Sequence, residues 1–296
     1  MHECTLHRLA ATVKLSQGAP KLTIDLVRNA PLIDHATNHI QLASWHWSSW
    51  VLRPAWVLAC RLLLMHTTWR LIHTHSFLMA RQFQLLVFDW DGTVIDSAGL
   101  IVSSIQRACA DMKLPVPHAR DASYVIGLGM KDSMQHLLPE LAERDYPPFM
   151  ERYRHHFLGR DHEAPLFDGI EPLLAELEQG GHLLAVATGK SRVGLQRSFE
   201  QTGIGKRFHT SRCADESFSK PNPAMLFEVM DALGASPENT LMIGDTSHDL
   251  LMAQNAGVAA VAVTYGAHDG AALRGLNPLA CVDSVAALRA WLTQHA

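Results

Sequence analysis

Beyond residue 80 the hydrophobic and polar positions fall into two alternating periods. Gln84–Phe88 is a short apolar run that ends in acids, as a buried strand does. Ile101, Ile105, Ala108 and Met112 then recur at helical spacing, and Pro115 and Pro117 break that helix. The pattern predicts further helices over Asp132–Glu143, Pro148–Leu158 and Glu171–Gln179. Gly180-Gly181 closes the last of these, glycine being the usual residue just past a helix end. Strands at His182–Ala187, Thr240–Gly244 and Ala259–Thr264 then alternate with helices at Arg192–Thr202, Pro223–Leu233, Asp249–Ala256 and Ser284–Thr293. Such alternation argues for a parallel α/β sheet. Between Ser97 and Phe167 there are helices and no convincing strand, which reads as a helical insertion in the α/β unit.

The first 80 residues differ. They hold five of the seven Trp and eight of the 18 His, but three acids against seven Lys and Arg, about +4 overall. The remainder is about −8, within a chain of net charge −4. That balance gives no electrostatic case for nucleic-acid binding. The most apolar stretch, Pro54–Met65, is interrupted by Arg61 and falls short of the ~20 residues that span a bilayer. Met1-His2-Glu3-Cys4 lacks the basic-then-apolar order of a secretory signal. One reading makes Trp45–Trp69 an interfacial amphipathic segment. The simpler one puts the natural start at Met79, with residues 1–80 an extension of uncertain reality, irregular or poorly ordered. Five cysteines, far apart and without CxxC or zinc spacing, fit a reducing, cytoplasmic setting. At 48% hydrophobic and 18% charged residues over 296, the chain can bury a sizeable core.

In open α/β sheets ligands bind outside the carboxyl ends of the strands. The residues there are Asp89-Trp90-Asp91-Gly92-Thr93, Thr188-Gly189-Lys190-Ser191 and Asp245-Thr246-Ser247-His248-Asp249; Lys220-Pro221-Asn222-Pro223 precedes a helix that reaches the same edge. Converging carboxylates repel one another, and a hard divalent cation removes that penalty; an all-oxygen set with few ligands favours Mg²⁺. Thr188, the N–H groups after it and Lys220 supply donors and positive charge for a phosphate. One carboxylate can then attack phosphorus, and a second, two residues on, can move a proton.

Those segments, in that order, resemble the four motifs of the haloacid dehalogenase superfamily, over roughly residues 82–296. The helices between the first two motifs are similar to the small helical cap of the phosphoglycolate phosphatase and β-phosphoglucomutase branch. The resemblance implies a Rossmann-like core over residues 81–96 and 168–296, with a cap over 97–167. It implies Asp89 as nucleophile and metal ligand, and Asp91 as acid and base that binds metal through its carbonyl. Thr188, Gly189 and Lys220 would hold the phosphoryl group, Asp245 would bind Mg²⁺, and Asp249 would stand behind as a companion acid. The expected activity is a Mg²⁺-dependent phosphatase of a small phosphorylated metabolite, phosphoglycolate phosphatase-like, in a monomer or weak dimer. Alternatives are a phosphomutase, or an interaction or membrane-surface protein acting through residues 1–80.

In the insertion, Gly127, Gly129 and Lys131 form a candidate specificity loop, with two glycines permitting close approach and Lys131 offering a charge. Trp90 is expected to pack away from the site. His248 is expected to be structural, and His155-His156 to lie on a solvated helix face. A chain that starts at Met79 should keep the turnover and melting temperature of the full chain. A fall of several degrees, or a large loss of turnover, would mean that residues 1–78 dock on the rest.

Overall fold

The structure is a computed structural model that describes residues 11–15, 22–26 and 83–296. Two strands lie near the start of the chain: β1 (Ala11–Leu15) and β2 (Leu22–Leu26) pair antiparallel, Ala11 opposite Leu26 and Leu15 opposite Leu22. These two short strands lie within the stretch expected to be irregular or poorly ordered. ATVKL and LTIDL each alternate apolar and polar residues at period two, a signal that the acid-poor composition around them obscured. The Trp45–Trp69 segment, the proposed start at Met79, Cys4 and Cys60 lie outside the described residues.

The remainder is built on six parallel strands, in the order β5-β4-β3-β6-β7-β8. They are β3 (Leu85–Phe88), β4 (Leu183–Thr188), β5 (Thr210–Cys213), β6 (Thr240–Gly244), β7 (Ala259–Val263) and β8 (Ala280–Val282). The chain builds from β3 outward through β4 to β5, then returns to the other side of β3 and builds out from β6 to β8. The order therefore reverses at β3, where an open sheet leaves a crevice for a ligand.

Period two decides which layer each strand residue enters. Leu86, Phe88, Leu184, Val186, Leu241 and Ile243 face one layer, where they meet helices α5 (Ile170–Gln179) and α10 (Val285–His295). Leu85, Val87, Ala185, Ala187 and Met242 face the other, against α7 (Ala224–Leu233) and α8 (Ser247–Ala256). Both faces being covered explains why these strands read as unbroken apolar runs. Helix α6 (Arg192–Thr202) and the short α9 (Gly270–Arg274) complete the layers.

Residues 98–158 form four helices: α1 (Ala98–Asp111), α2 (Ala119–Tyr124), α3 (Met130–Leu137) and α4 (Tyr146–Leu158). They enclose a core of their own, with Ile101, Ile105, Cys109, Val125, Met134 and Phe149. The helix expected to continue to Glu143 ends at Leu137, and Glu143–Asp145 is a separate single turn. The segments entering and leaving this insertion run side by side. Asp96 N donates to Pro165 O at 2.8 Å, and Phe167 N to Val94 O at 3.1 Å.

Among the described residues no helix is long and apolar enough to cross a membrane. Cys109 and Cys213 are buried free thiols, which burial pushes up to about 11 and about 12.

Trp90 packs away from the site as expected. It is fully buried, its Nε1 donates to Ser198 Oγ at 2.8 Å, and its ring meets Phe199 and Phe208 edge-on. Trp90→Ala should cost about 3–5 kcal/mol of unfolding free energy, because it leaves a cavity in a close-packed layer. Urea denaturation measures this, and a cost below about 1 kcal/mol would contradict the packing described.

Candidate active site

Parallel strands deliver the polar residues of four segments to one edge. Asp89 directly follows β3, and its N–H continues the sheet by donating to Ile243 O at 2.9 Å. Asp245 directly follows β6, and Thr188 is the last residue of β4. Asp249 sits in the first turn of α8, where Thr246 and Asp249 cap each other reciprocally. Lys220 precedes α7 by one short turn. Asp89, Asp245, Asp249, Thr188 and Lys220 are all buried.

Lys220 joins the segments. Its Nζ donates to Asp89 Oδ1 at 2.7 Å and to Asp249 Oδ1 at 2.6 Å, with its side chain wholly removed from solvent. Burial opposes its charge, but the Asp249 and Asp89 carboxylates outweigh burial and hold the ammonium above its ordinary value. Asp245 is oriented by Thr93 Oγ1, which donates to Oδ1 at 2.7 Å, and by Ala267 N, which donates to Oδ2 at 2.7 Å. Gly92 lies against that carboxylate with φ +84°; a Cβ there would collide with Asp245 Oδ2 and leave the favoured region of the backbone.

The carboxyl oxygens of Asp89, Asp245 and Asp249 lie within 4.8 Å of one another. Three carboxylates face one ammonium, and the deficit is visible in the protonation of Asp89 and Asp245. Burial raises Asp89 well above the usual carboxylate range, with Asp249 and Asp245 adding repulsion. Burial, then the Asp249 charge, raises Asp245 to about 7. Asp89 Oδ2 is buried without a hydrogen-bond partner among the described residues. Such an orphaned anionic oxygen, beside a second buried carboxylate, fits a hard divalent cation. Asp249 does not present a free oxygen in the same way. Its Oδ1 takes Lys220, and its Oδ2 accepts from Thr246 N at 3.0 Å and from Thr246 Oγ1 at 2.7 Å. The hydrogen-bond pattern therefore sets Asp89, with one oxygen unengaged, apart from Asp245 and Asp249, whose oxygens all accept, although all three are close.

Asp91 stands to one side, its Oδ1 accepting from Ser97 Oγ at 2.5 Å and from Lys190 Nζ at 2.9 Å. Thr188 Oγ1 accepts from Lys190 N at 3.2 Å. The insertion reaches this edge through its glycine loop. A Cβ on Gly189 would meet the Gly127 carbonyl carbon and oxygen at 2.6 Å, so only glycine admits the loop there. Gly127 lies beside Thr246, and Gly129 N donates to Ser219 Oγ at 2.8 Å.

The structure brings together Asp89, Asp91, Thr188, Gly189, Lys220, Asp245 and Asp249, with Gly127 and Gly129 over them. It does not bring Lys131, whose ammonium pairs with Glu143 at 2.9 Å on the surface, both side chains well exposed. The expectation for Lys131 is corrected: it opens α3 and turns outward. His248 is structural, as expected; its Nε2 donates to Tyr124 O at 2.7 Å and ties α8 to the insertion. His156 pairs with Asp111 rather than standing free. Sequence reasoning missed Thr93, Ser97 and Lys190. Each lies within a few residues of a motif acid or hydroxyl, and that proximity was the available signal.

Residues 86–263 match the family described as haloacid dehalogenase-like hydrolase. The chain belongs to that family. It is 34% identical over 206 residues to a probable phosphatase, IndB, of Dickeya dadantii, covering 68% of this chain and 89% of that protein. It is 30% identical over 210 residues to a phosphoglycolate phosphatase of Agrobacterium fabrum, covering 69% and 90%. A Mycobacterium tuberculosis protein named tyrosine-protein kinase PtkA is 36% identical over 186 residues, 62% of each chain. The crystal structure of a predicted phosphoglycolate phosphatase from Haemophilus somnus superposes with a TM-score of 0.63 at 26% identity, over 69% of this chain and 96% of that one. Within the family, the chain is a hydrolase of the phosphatase kind.

The raised carboxyl of Asp245 has a measurable consequence in metal-free protein. It holds its proton up to about 7 when folded, whereas an unfolded Asp releases it near 3.9. Between those values the folded state binds more protons, so stability is lost as pH rises through them. In chelator, Asp245→Asn should therefore gain stability relative to the parent as pH rises from about 4 to about 7. The gain is at most about 1.4 kcal/mol per pH unit. Urea titrations at several pH values measure it; a difference independent of pH would contradict the assignment.

Proposed function

We propose that this protein is a Mg²⁺-dependent phosphatase of a small phosphorylated metabolite, and that Asp89 carries the phosphoryl group between two half-reactions. The observation that carries the reading is the state of the Asp89 carboxylate: Oδ1 is fixed by Lys220 and Oδ2 is left without a partner. A carboxylate oriented through one oxygen and unsatisfied at the other is disposed to bond elsewhere.

In the first half-reaction an Asp89 oxygen forms a bond to phosphorus while the ester P–O bond breaks. Asp91 gives its proton to the departing alcohol oxygen. In the second, Asp91 takes a proton from the water that attacks phosphorus, and the Asp89 carboxylate and inorganic phosphate separate. Thr188 Oγ1, Gly189 N and the Lys220 ammonium hold the phosphoryl oxygens. Asp89, Asp245 and the main-chain carbonyl of Asp91 would hold a Mg²⁺ ion, which when bound would supply positive charge against the negative charge of the phosphoryl group. Residues 97–167 act as a cap over this edge, with Gly127 and Gly129 closing on it. Relatives named phosphoglycolate phosphatase support a small phosphorylated acid as the substrate class, and action in the cytoplasm belongs to the same reading.

A panel of phosphorylated metabolites that includes 2-phosphoglycolate tests this directly. Hydrolysis should be lost with EDTA, return with Mg²⁺ and return poorly with Ca²⁺, whose larger and looser coordination displaces the nucleophile. Asp89→Asn should remove turnover and keep the fold, because a carboxamide is nearly isosteric but does not attack phosphorus. Turnover in that folded variant, or in fully chelated protein, would refute the reading.

A further inference from the structure

Lys190 is the second lysine at the site, and the roles above leave it unused. It follows Gly189 in the loop after β4, with its side chain only 13% exposed. Its ammonium lies 2.9 Å from Asp91 Oδ1 and 4.9 Å from the centre of the Phe157 ring, on α4 of the insertion. Phe157 stacks on Tyr153, so an aromatic wall of the insertion faces this lysine. An ammonium carries three N–H donors. One meets Asp91 and one side lies over a ring face, so donor capacity remains unmatched by acceptors among the described residues.

The placement fixes what this spare capacity can meet. Lys220 stands on the nucleophile side, engaged by Asp89 and Asp249. Lys190 stands on the Asp91 side. On the proposed reading, Asp91 touches the ester oxygen that departs, so Lys190 lies within about 6 Å of that oxygen, two hydrogen-bond lengths away. With about 3 Å of that taken by a hydrogen bond from Lys190, about 3 Å remains, the span of two or three covalent bonds of the departing group. The Phe157 ring supplies no hydrogen-bond acceptor for the cation and covers one side of it from water, which favours an anion over a neutral hydroxyl there.

We propose that Lys190 selects the departing group, by binding a second anionic group that the substrate carries two or three bonds from the scissile oxygen. The inference rests on the phosphatase reading and adds to it a residue and a charge requirement. A carboxylate and a second phosphate share the chemistry, and two probes separate them.

The test compares kcat and KM of the full chain on three substrates. They are 2-phosphoglycolate, inorganic pyrophosphate and 2-hydroxyethyl phosphate, in which a neutral hydroxymethyl replaces the carboxylate. Lys190→Met and Lys190→Arg are measured beside the parent, with melting curves to establish that each is folded. The parent should prefer at least one anionic substrate over the neutral one. Lys190→Met should reduce that preference about ten- to a hundredfold, the worth of one charge-assisted hydrogen bond, chiefly through KM. Lys190→Arg should restore most of it. Loss confined to 2-phosphoglycolate identifies a carboxylate, and loss confined to pyrophosphate a phosphate. A parent that hydrolyses all three without preference, or a Lys190→Met variant that slows all three equally, overturns the inference and leaves the phosphatase reading standing. A folded parent that hydrolyses no phosphoester, these three or any of the wider panel, overturns both.

Discussion

The site depends on one buried ammonium, that of Lys220, held between the carboxylates of Asp89 and Asp249. Burying an ion is expensive, and a buried pair is retained only where its geometry is good and its remaining atoms are satisfied. Here the residues joined come from after β3, before α7 and within α8, so the contact ties together three parts of the sheet's carboxyl edge. Yet it does not balance the charge. Asp89, Asp245 and Asp249 outnumber it, leaving a deficit that a divalent cation matches. The raised carboxyls of Asp89 and Asp245 and the orphaned oxygen of Asp89 express the same shortage.

The architecture makes this cluster tolerable. Strands covered on both faces are rigid and apolar, and their pairing fixes the residue just past each end. Asp89 follows Phe88, whose side chain is locked in one layer, and Asp245 follows Ile243 and Gly244 in the strand beside it. Hydrogen bonds from Thr93 and Ala267 then orient Asp245, and those from Thr246 orient Asp249. The insertion completes the edge with a glycine loop so close to Gly189 that Gly189 has no room for a Cβ.

Much of this is legible in the chain because strand ends are marked twice, by an apolar run and by the polar residue that stops it. Hence α6 and β6 were located to the residue, and Asp89, Thr188, Lys220 and Asp245 were placed at one edge. What escaped is what lacks the double mark. β5 (TSRC) has a single apolar residue and β8 (ACV) is only three residues long; both are edge strands that pairing rather than pattern defines. β1 and β2 alternate cleanly but sit among residues of unusual composition. Lys131 looked like a site residue because it follows two glycines, and the helix phase turned it toward Glu143. Lys190 was visible in the second motif, but its meeting with Asp91 joins residues almost a hundred positions apart, which no local spacing encodes.

The central claim is that Asp89 carries the phosphoryl group. The most direct measurement traps it: Asp91→Asn protein with Mg²⁺ and an activated aryl phosphate, quenched in acid, reduced with borohydride and mapped by mass spectrometry. Without the Asp91 carboxylate to activate water, the first half-reaction should proceed and the second stall. The account predicts reduction of one carboxyl, that of Asp89, dependent on the aryl phosphate. Phosphate found on a different residue, or aryl release by that variant with no phosphorylated residue at any time, would contradict it.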